Sequence, residues 1–375
     1  MSALASRVRA ERTDSGARRP SVVHDEFGSV DVLSDVLRTV RLTGALFFPM
    51  EVSSPWVDEV PNAAEFASIV LPGAQHVISY HIVRQGRCWA ALRGDSPVRL
   101  EAGDVLVIPH GDPYMMASAP DLRSDLSIDA VLEFFRHMAT RSAPIVVTEG
   151  GGGPERAQVV CGFLGCDVRP FNPVLEALPR VLYVRRRTGR AATDRLSQLV
   201  ELALAESCER QSGTRCVLLH LSELLFVEVI RHYLDSLTQE HTGWLAGLRD
   251  PIAGRALALL HNRPAASWSL ERLAREIGVS RSSLAERFSE LIGQPPMRYL
   301  TRWRIQLACR LLCDDAAKVS SVALDVGYQS EAAFSRSFKA LVGTSPATWR
   351  RRQRTLPTSY AARRRVERRV SRGSR

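Results

Sequence analysis

Apolar residues change their spacing along this chain, and the changes mark its segments. Between Asp31 and Leu42 (DVLSDVLRTVRL) the period is helical, with Val32, Val36, Leu37 and Val40 on one side of a short helix. From Gly44 to about Ser118 the pattern shortens to β-like runs cut by Gly and Pro: GALFFPMEV, FASIVLP, HVISYHIVRQG, RCWAAL, PVRLEAGD and VLVIPHGD. Short strands with regular turns predict a sandwich or barrel. Residues 121–141 turn from polar to apolar (LEFFRHM) and read as a connector or covering strand. AQVVCGFLGCDV reads as a returning strand, with Cys161 and Cys166 bracketing a short turn. The four glycines before it form a loop without the Lys-Ser/Thr sequel of a phosphate-binding loop.

From Ala191 to about Leu237 the period is helical again. TDRLSQLVELALAES carries Leu196, Leu199, Val200 and Leu204 on one stripe. CVLLHLSELLFVEVIRHYLDSL spreads Leu218, Leu221, Leu225, Ile230 and Leu234 widely around its axis. So apolar a pair must pack on its own barrel or against a second chain. Asp250 and Pro251 then read as an N-cap and first-turn pair that opens the next helix.

Residues 320–350 (SSVALDVGYQSEAAFSRSFKALVGTSPATWR) read as helix, tight turn, helix. Ser320 or Ser321 is placed to cap the first helix, whose stripe is Val322, Ala323 and Val326; Gly327 ends it and Ser330 caps the second. Phe334, Phe338 and Leu341 then share one face, with Ala332, Ser335, Arg336 and Lys339 opposite. Residues 269–292 repeat the arrangement, with Ser269, Gly278 and Ser280 as punctuation and Leu284, Phe288 and Leu291 inside. Ser282, Ala285, Glu286 and Ser289 face out. Between the units lies PPMRYLTRWRIQLACRLLC, a helix opened by Pro295 and Pro296. Eighteen helical residues span roughly 27 Å, near the roughly 34 Å of one DNA turn. Such a rod suits two reading helices in successive major grooves.

Residues 250–350 resemble the paired helix-turn-helix domain of the AraC/XylS transcription regulators. The resemblance is carried by Gly327, Tyr328, Ser330, Phe334, Arg336, Phe338, Lys339, Gly343, Ser345, Pro346 and Trp349. Leu273, Ala274, Ser280, Leu284, Phe288, Gly293, Pro296, Tyr299, Leu300, Arg304 and Ala308 carry it in the first unit. Trp349 stands where the family normally has Phe or Tyr. Double-stranded DNA is the implied partner, and dimerisation through the helical segment is implied with it; contact with RNA polymerase is a further expectation.

Helical geometry places Ser282 and Glu286 opposite the buried side of the first reading helix, with Ala285 beside them. Glu286 suits a cytosine amino group, or a solvated surface. Arg336 lies opposite Phe334 and Phe338 and suits guanine or phosphate. Arg287, Arg304 and Lys339 suit backbone contacts or intramolecular ion pairs better than base reading.

In LEAGDVLVIPHGDPYMM, the residues Gly103, Asp104, Pro109, Gly111 and Tyr114 resemble the second motif of the cupin barrel, with Tyr114 at a metal-binding histidine's place. His81 falls where one histidine of the first motif stands; Ser79 replaces its partner and Gln85 lies near the usual Glu. This is a poor donor set for a divalent metal, so no metal or other cofactor is expected. Barrel-filling polar residues or an effector pocket including His81, Trp89, His110 and Tyr114 is the favoured reading. With GRCW and NPVLEALP, the segment resembles the cupin-type sensor domain of one branch of AraC-like regulators. Cys88, Cys161 and Cys166 are candidates for oxidant sensing, against the alternative that they are small buried apolar residues.

Composition changes the picture at the ends. The 375 residues, 45% hydrophobic, allow two or three domains. The formal charge is +10, and residues 350–375 alone hold eleven Arg against one Glu. That arginine-rich tail is expected to be disordered and to attract phosphate, or merely to solubilise. The N-terminus lacks the apolar stretch of a signal peptide, and no run approaches the roughly 20 apolar residues of a membrane span. Seven cysteines without disulfide-scaffold spacing fit a reducing cytoplasm. No GxSxG, HExxH or Cys-His signature points to an enzyme.

The expected fold is α+β: a disordered arm (1–24), a cupin-like β-barrel sensor (25–185), a helical linker and dimerisation segment (186–249), an all-α domain with two helix-turn-helix units (250–350), and the tail (351–375). The expected function is a cytoplasmic, sequence-specific regulator, a homodimer whose barrel senses a small molecule or oxidant. The alternative is a cupin metal enzyme fused to a DNA-targeting domain.

Overall fold

The computed structural model describes residues 31–39, 42–140, 146–166, 170–185, 195–208, 212–238, 241–313 and 318–355. The expected arm at 1–24 and residues 356–375 of the expected tail lie outside the described residues, whereas residues 351–355 of that tail are helical and continue the last helix of the DNA-binding domain.

The N-terminal half is built on two sheets. Its strands are β1 (Leu42–Ser53), β2 (Val57–Val60), β3 (His76–Gln85), β4 (Arg87–Leu92), β5 (Val98–Glu101), β6 (Val105–Ile108), β7 (Tyr114–Ala117), β8 (Val147–Gly150), β9 (Arg156–Cys166) and β10 (Leu182–Val184). A six-stranded sheet has the order β10-β6-β3-β9-β1-β8, and a four-stranded sheet the order β2-β7-β4-β5. Pairing is antiparallel except between β1 and β8. The long strands β1, β9 and β3 form the centre, with Cys161 opposite Phe48 on one side and His81 on the other.

Strand alternation sorts two cores. Neighbouring residues point to opposite faces, so β9 sends Val159, Cys161 and Phe163 between the sheets and Val160, Leu164 and Cys166 to the outer face. β3 does the same, with Val77 and Val83 inward and Ile78, Tyr80 and Ile82 outward. The large sheet is thus covered on both faces, which explains nearly unbroken apolar runs such as HVISYHIV. Cys161 and Cys166 do not bracket a turn: they sit five positions apart on one continuous strand and face different cores.

Two segments read as extended are helices, α2 (Ala63–Val70) and α3 (Ile128–Thr140). In FASIVLP a capping box decides the matter: Asn62 accepts from a backbone N–H of the first turn, and Glu65 returns the bond to Asn62 N. Ala63, Phe66 and Val70 then lie on one buried face. In 121–141 the spacing of Val131, Phe134, Phe135 and Met138 is helical, and it buries against the inner core. Phe66 stacks on Phe135 with centroids 4.6 Å apart, and both meet Phe163.

The outer face carries α1 (Val32–Thr39), α4 (Pro173–Ala177), α5 (Arg195–Cys208) and α6 (Thr214–Ser236). The chain continues through α7 (Trp244–Gly247), α8 (Ala253–Asn262), α9 (Leu270–Ile277), α10 (Arg281–Ile292) and α11 (Pro296–Leu311). It ends with α12 (Val319–Asp325), α13 (Glu331–Val342) and α14 (Pro346–Thr355). The outer core runs without a break from Ile82 and Val160 through Phe226 to Leu257, Phe288 and Trp303. The first helix-turn-helix, α9–α10, is therefore packed into the same core as the sensor sheet. The second, α12–α13, has a smaller core of its own around Phe334 and Phe338, shared with the far end of α11.

Three details differ from the sequence reading. Lys318, not Ser320 or Ser321, precedes α12 as its N-cap residue. Leu341 is 42% exposed instead of buried, since Trp349 of α14 closes the core beside Phe338. Asp250 caps α8 from two residues further back, its Oδ1 accepting from Ile252 N and Ala253 N at 2.9 and 2.8 Å.

Candidate DNA-reading surface and barrel cavity

The two helix-turn-helix units are built alike. Ser280 and Ser330 accept from backbone N–H groups of α10 and α13, and Gly293 and Gly343 end those helices in the left-handed conformation. Pro296 and Pro346 open the next helices, α11 and α14. Each of these pairs is 50 positions apart, and so are Leu284 and Phe334, Phe288 and Phe338, Tyr299 and Trp349. Tyr299 meets Phe288 edge-on at 5.8 Å, as Trp349 meets Phe338 at 6.3 Å. The repeat thus comprises three helices, not two, and Trp349 is the second unit's counterpart of Tyr299.

The outward faces carry the expected readers. Ser282 and Glu286 on α10 are exposed, with Ala285 half-buried beside them. On α13, Ala332, Arg336 and Lys339 are exposed and Ser335 is half-buried. The buried sides hold Leu284 and Phe288, and Phe334 and Phe338. Small side chains next to single long ones let a helix approach base edges closely.

Two expected DNA contacts are structural braces. Arg287 Nε binds Asp250 Oδ2 and its Nη1 binds Glu290 Oε2, each at 2.8 Å. It ties α10 to the cap of α8. Arg304 donates from Nε and Nη2 to the carbonyls of Pro264 and Ala266, both at 2.7 Å, and lies over the Tyr328 ring at 6.0 Å. Burial holds the Arg304 guanidinium below its ordinary pKa. The turn of the second unit rests on the same loop. A Cβ on Gly327, at φ +89°, would come 2.6 Å from Ala265 O. Loop 264–266, Arg304 and Gly327 therefore set the angle between the two units. The glycine was legible as a turn, but its contact with a loop some sixty positions away was not.

The first unit is also bonded to the sensor half. His261 Nδ1 meets Asp35 Oδ2 of α1 at 2.8 Å, and His261 Nε2 meets Tyr299 OH at 2.8 Å. Trp244 Nε1 donates to that same hydroxyl at 2.8 Å. Arg302 pairs with Glu176 of α4 at 2.5 Å and lies over Phe171 at 3.9 Å. Gln306 Oε1 accepts from Phe171 N at 3.1 Å.

Inside the barrel, His81 and Tyr114 are buried and meet: His81 Nε2 lies 2.6 Å from Tyr114 OH, and Nδ1 lies 3.1 Å from Cys161 Sγ. Burial pushes His81 down to about 3 and raises the Tyr114 phenol and the Cys161 thiol, so all three are uncharged at neutral pH. The phenol then donates to Nε2 and Nδ1–H points at sulfur. These three residues line a cavity of about 110 Å³. A metal does not fit this donor set: both imidazole nitrogens are engaged, and burial opposes the anionic phenolate and thiolate a cation requires. Among the described residues, no group of three or more His, Cys, Asp or Glu is arranged to hold a metal ion.

Trp89 and His110 do not join His81 and Tyr114. Trp89 lies on β4 facing away from the inner core that its neighbours Cys88 and Ala90 enter. His110 is exposed and meets Leu178 O at 2.9 Å. Instead the cavity gains Asp58 and Glu149 and the rings of Phe48, Phe134, Phe135 and Phe163. The oxidant-sensing thiols lose their chemical basis: Cys88, Cys161 and Cys166 are buried, and desolvation pushes Cys88 up to about 12. A thiol so raised holds almost no thiolate at neutral pH.

The His81 shift has a measurable consequence. Its ordinary value of 6.5 applies to the unfolded chain and about 3 to the folded one. Between those values the unfolded chain binds the extra proton, so stability falls as pH drops below 6.5. The loss approaches about 1.4 kcal/mol per pH unit for one such group. Thermal unfolding from pH 7 to pH 4 is expected to show Tm falling, and His81→Gln to show a shallower fall.

Comparison with known proteins agrees with this architecture. A family model described as "Cupin" matches residues 31–235, and one described as "Helix-turn-helix domain" matches residues 273–352. A putative AraC-like transcription regulator of Streptomyces lividans is 32% identical over 88% of this chain and 100% of its own length. One from Streptomyces antibioticus is 31% identical over 86% of this chain and 99% of its own. The HTH-type transcriptional regulator AlkR of Acinetobacter baylyi is 25% identical over 86% and 99%. With two helix-turn-helix units on a shared 50-residue repeat, a cupin module packed against the first of them, and a relative 32% identical over its whole length, the chain belongs to the AraC-like transcription regulators with an N-terminal cupin domain.

Proposed function

We propose that this regulator is ligand-responsive: a small molecule in the barrel cavity changes how the first helix-turn-helix sits on the sensor sheet. The observation that carries this reading is the shared core. The cavity lies on the inner face of the large sheet, and the first unit joins the core on its outer face through α1, α4 and α7, so adjacent residues connect to both: His81 lines the cavity while Tyr80 and Ile82 pack outward. A ligand that binds one arrangement better shifts the population towards it. The second unit, with its own core, follows through α11, whose sixteen residues span roughly 24 Å.

In this reading Ser282, Ala285, Glu286, Ala332, Ser335, Arg336 and Lys339 face DNA. Two copies meet through the outer surface of α5 and α6, where Leu202, Val217 and Leu224 are exposed. The protein acts without catalysis, in the cytoplasm, and touches RNA polymerase from its promoter site. Among the described residues no helix is long and apolar enough to cross a membrane. Genome-wide mapping of bound DNA supplies a cognate site. Affinity for that site, measured across a metabolite panel, is expected to change with at least one compound; indifference to all of them would make the barrel a purely structural element.

The arginine-rich end supplies sequence-independent attraction. Removing residues 356–375, which leaves α14 whole, is expected to weaken binding to random DNA and to flatten the plot of log affinity against log salt, because each neutralised phosphate contributes about 0.9 to that slope. An unchanged slope would leave the tail without a role on DNA.

A further inference from the structure

The barrel cavity lies where the two sheets fail to close. β2 is an edge of the four-stranded sheet and β8 an edge of the six-stranded sheet. Asp58 of β2 and Glu149 of β8 line the cavity and hydrogen-bond to each other across the gap. The lining is also rich in aromatic rings, with Phe48 and Phe163 from the large sheet and Phe134 and Phe135 from α3.

Two carboxyls in contact cannot both ionise without repulsion, and desolvation adds to the difficulty. The Asp58 carboxyl is accordingly raised well above the usual range, by burial first and by Glu149 second. Among the described residues, neither acid joins an ion pair. Other groups facing the pair supply no cation. His81 on β3 is neutral, and Tyr114 on β7 and Cys161 on β9 keep their protons. Glu59 on β2 is a further acid, accepting from Ser124 N at 3.2 Å. The residues that α3 turns to the cavity are uncharged. A pair of acids and several aromatic rings lining one cavity attract the same guest, since both stabilise positive charge on an apolar body.

We propose that this cavity binds a compact organic ammonium ion, its N–H groups on Asp58 and Glu149 and its apolar part against Phe48, Phe134 and Phe163. The proposal rests on the sensing role given above and names the ligand class for it. The cavity, at about 110 Å³, is smaller than the roughly 150 Å³ that holds benzene, so about four heavy atoms fit inside and the rest of a larger guest extends past the rim. Leu126 at the rim is 65% exposed, and longer substituents leave past it. Binding converts the carboxyl pair from a shared proton to two carboxylates: one O–H bond breaks, its proton goes to solvent, and N–H···O contacts replace it. Affinity therefore rises with pH until the ligand itself loses its proton.

Isothermal titration of the full chain with benzylammonium, benzyl alcohol and benzoate tests this. Benzylammonium is expected to bind roughly tenfold or more tightly than benzyl alcohol, and benzoate not to bind. Buffers of different ionisation heat should report net proton release on benzylammonium binding and none with benzyl alcohol. Asp58→Asn and Glu149→Gln keep the shape of the wall, and each should reduce benzylammonium to the affinity of benzyl alcohol while the chain stays folded. Equal affinity for the charged and neutral probes, or no benzylammonium binding by the unaltered chain, overturns the proposal. Affinity for the cognate DNA site is measured on the same samples. If benzylammonium binds as described but leaves that affinity unchanged, the ligand class is upheld and the sensing role falls.

Discussion

Phe338→Ala is expected to destabilise the second helix-turn-helix by roughly 3–5 kcal/mol, the usual cost of removing a fully buried phenyl ring. Phe338 is completely buried and meets Phe334 at 5.5 Å and Trp349 at 6.3 Å. The core it belongs to is small, so the loss is a large part of what holds α12–α14 together. The damage should be local, because the first unit draws on a different core that reaches into the sensor sheet. Hydrogen exchange should show protection lost over residues 319–350 and kept over 270–300. Affinity for a cognate site should drop by roughly a hundredfold or more, as expected when one of two linked reading modules is lost. Phe338→Leu should keep most of both. Loss of protection throughout the chain would mean that the two cores unfold as one.

Arg336→Ala is the second. Arg336 stands exposed on α13, opposite Phe334 and Phe338, and among the described residues makes no fold contact comparable to that of Arg287 or Arg304. Its removal should leave Tm within about 0.5 kcal/mol equivalent, as for other surface positions. On a cognate site the loss should be roughly 1–3 kcal/mol, about five- to 150-fold, with relaxed preference at one base pair. Comparison with random DNA separates two roles: an equal loss there assigns Arg336 to phosphate instead of a base edge.

The DNA-binding half was legible because its signals are local. Ser280 and Ser330 cap, Gly278 and Gly327 turn, and the apolar residues fall at helical spacing within each unit. Legibility failed where distant contacts decide. For Arg287 and Arg304 the sequence leaves backbone contact and intramolecular pairing both open; the partners that decide it, Asp250 and the carbonyls of 264 and 266, lie about forty positions away. The cavity shows the same limit. His81 and Tyr114 were placed by motif and do meet, but Asp58 and Glu149 come from edge strands with no motif around them. FASIVLP reads as a strand because its apolar run is equally compatible with one, and only the Asn62–Glu65 pair marks a helix start. The 50-residue repeat, extended through Pro296 and Pro346, also pairs Trp349 with Tyr299 in the sequence itself.

The central claim is that α10 and α13, held by α11, both read DNA. Hydroxyl-radical footprinting of the full chain on a mapped site tests it most directly. Each subunit should protect two patches on one face of the duplex, about 10 base pairs apart, and Phe338→Ala should erase one of them. A single protected patch per subunit, unchanged by Phe338→Ala, would contradict it.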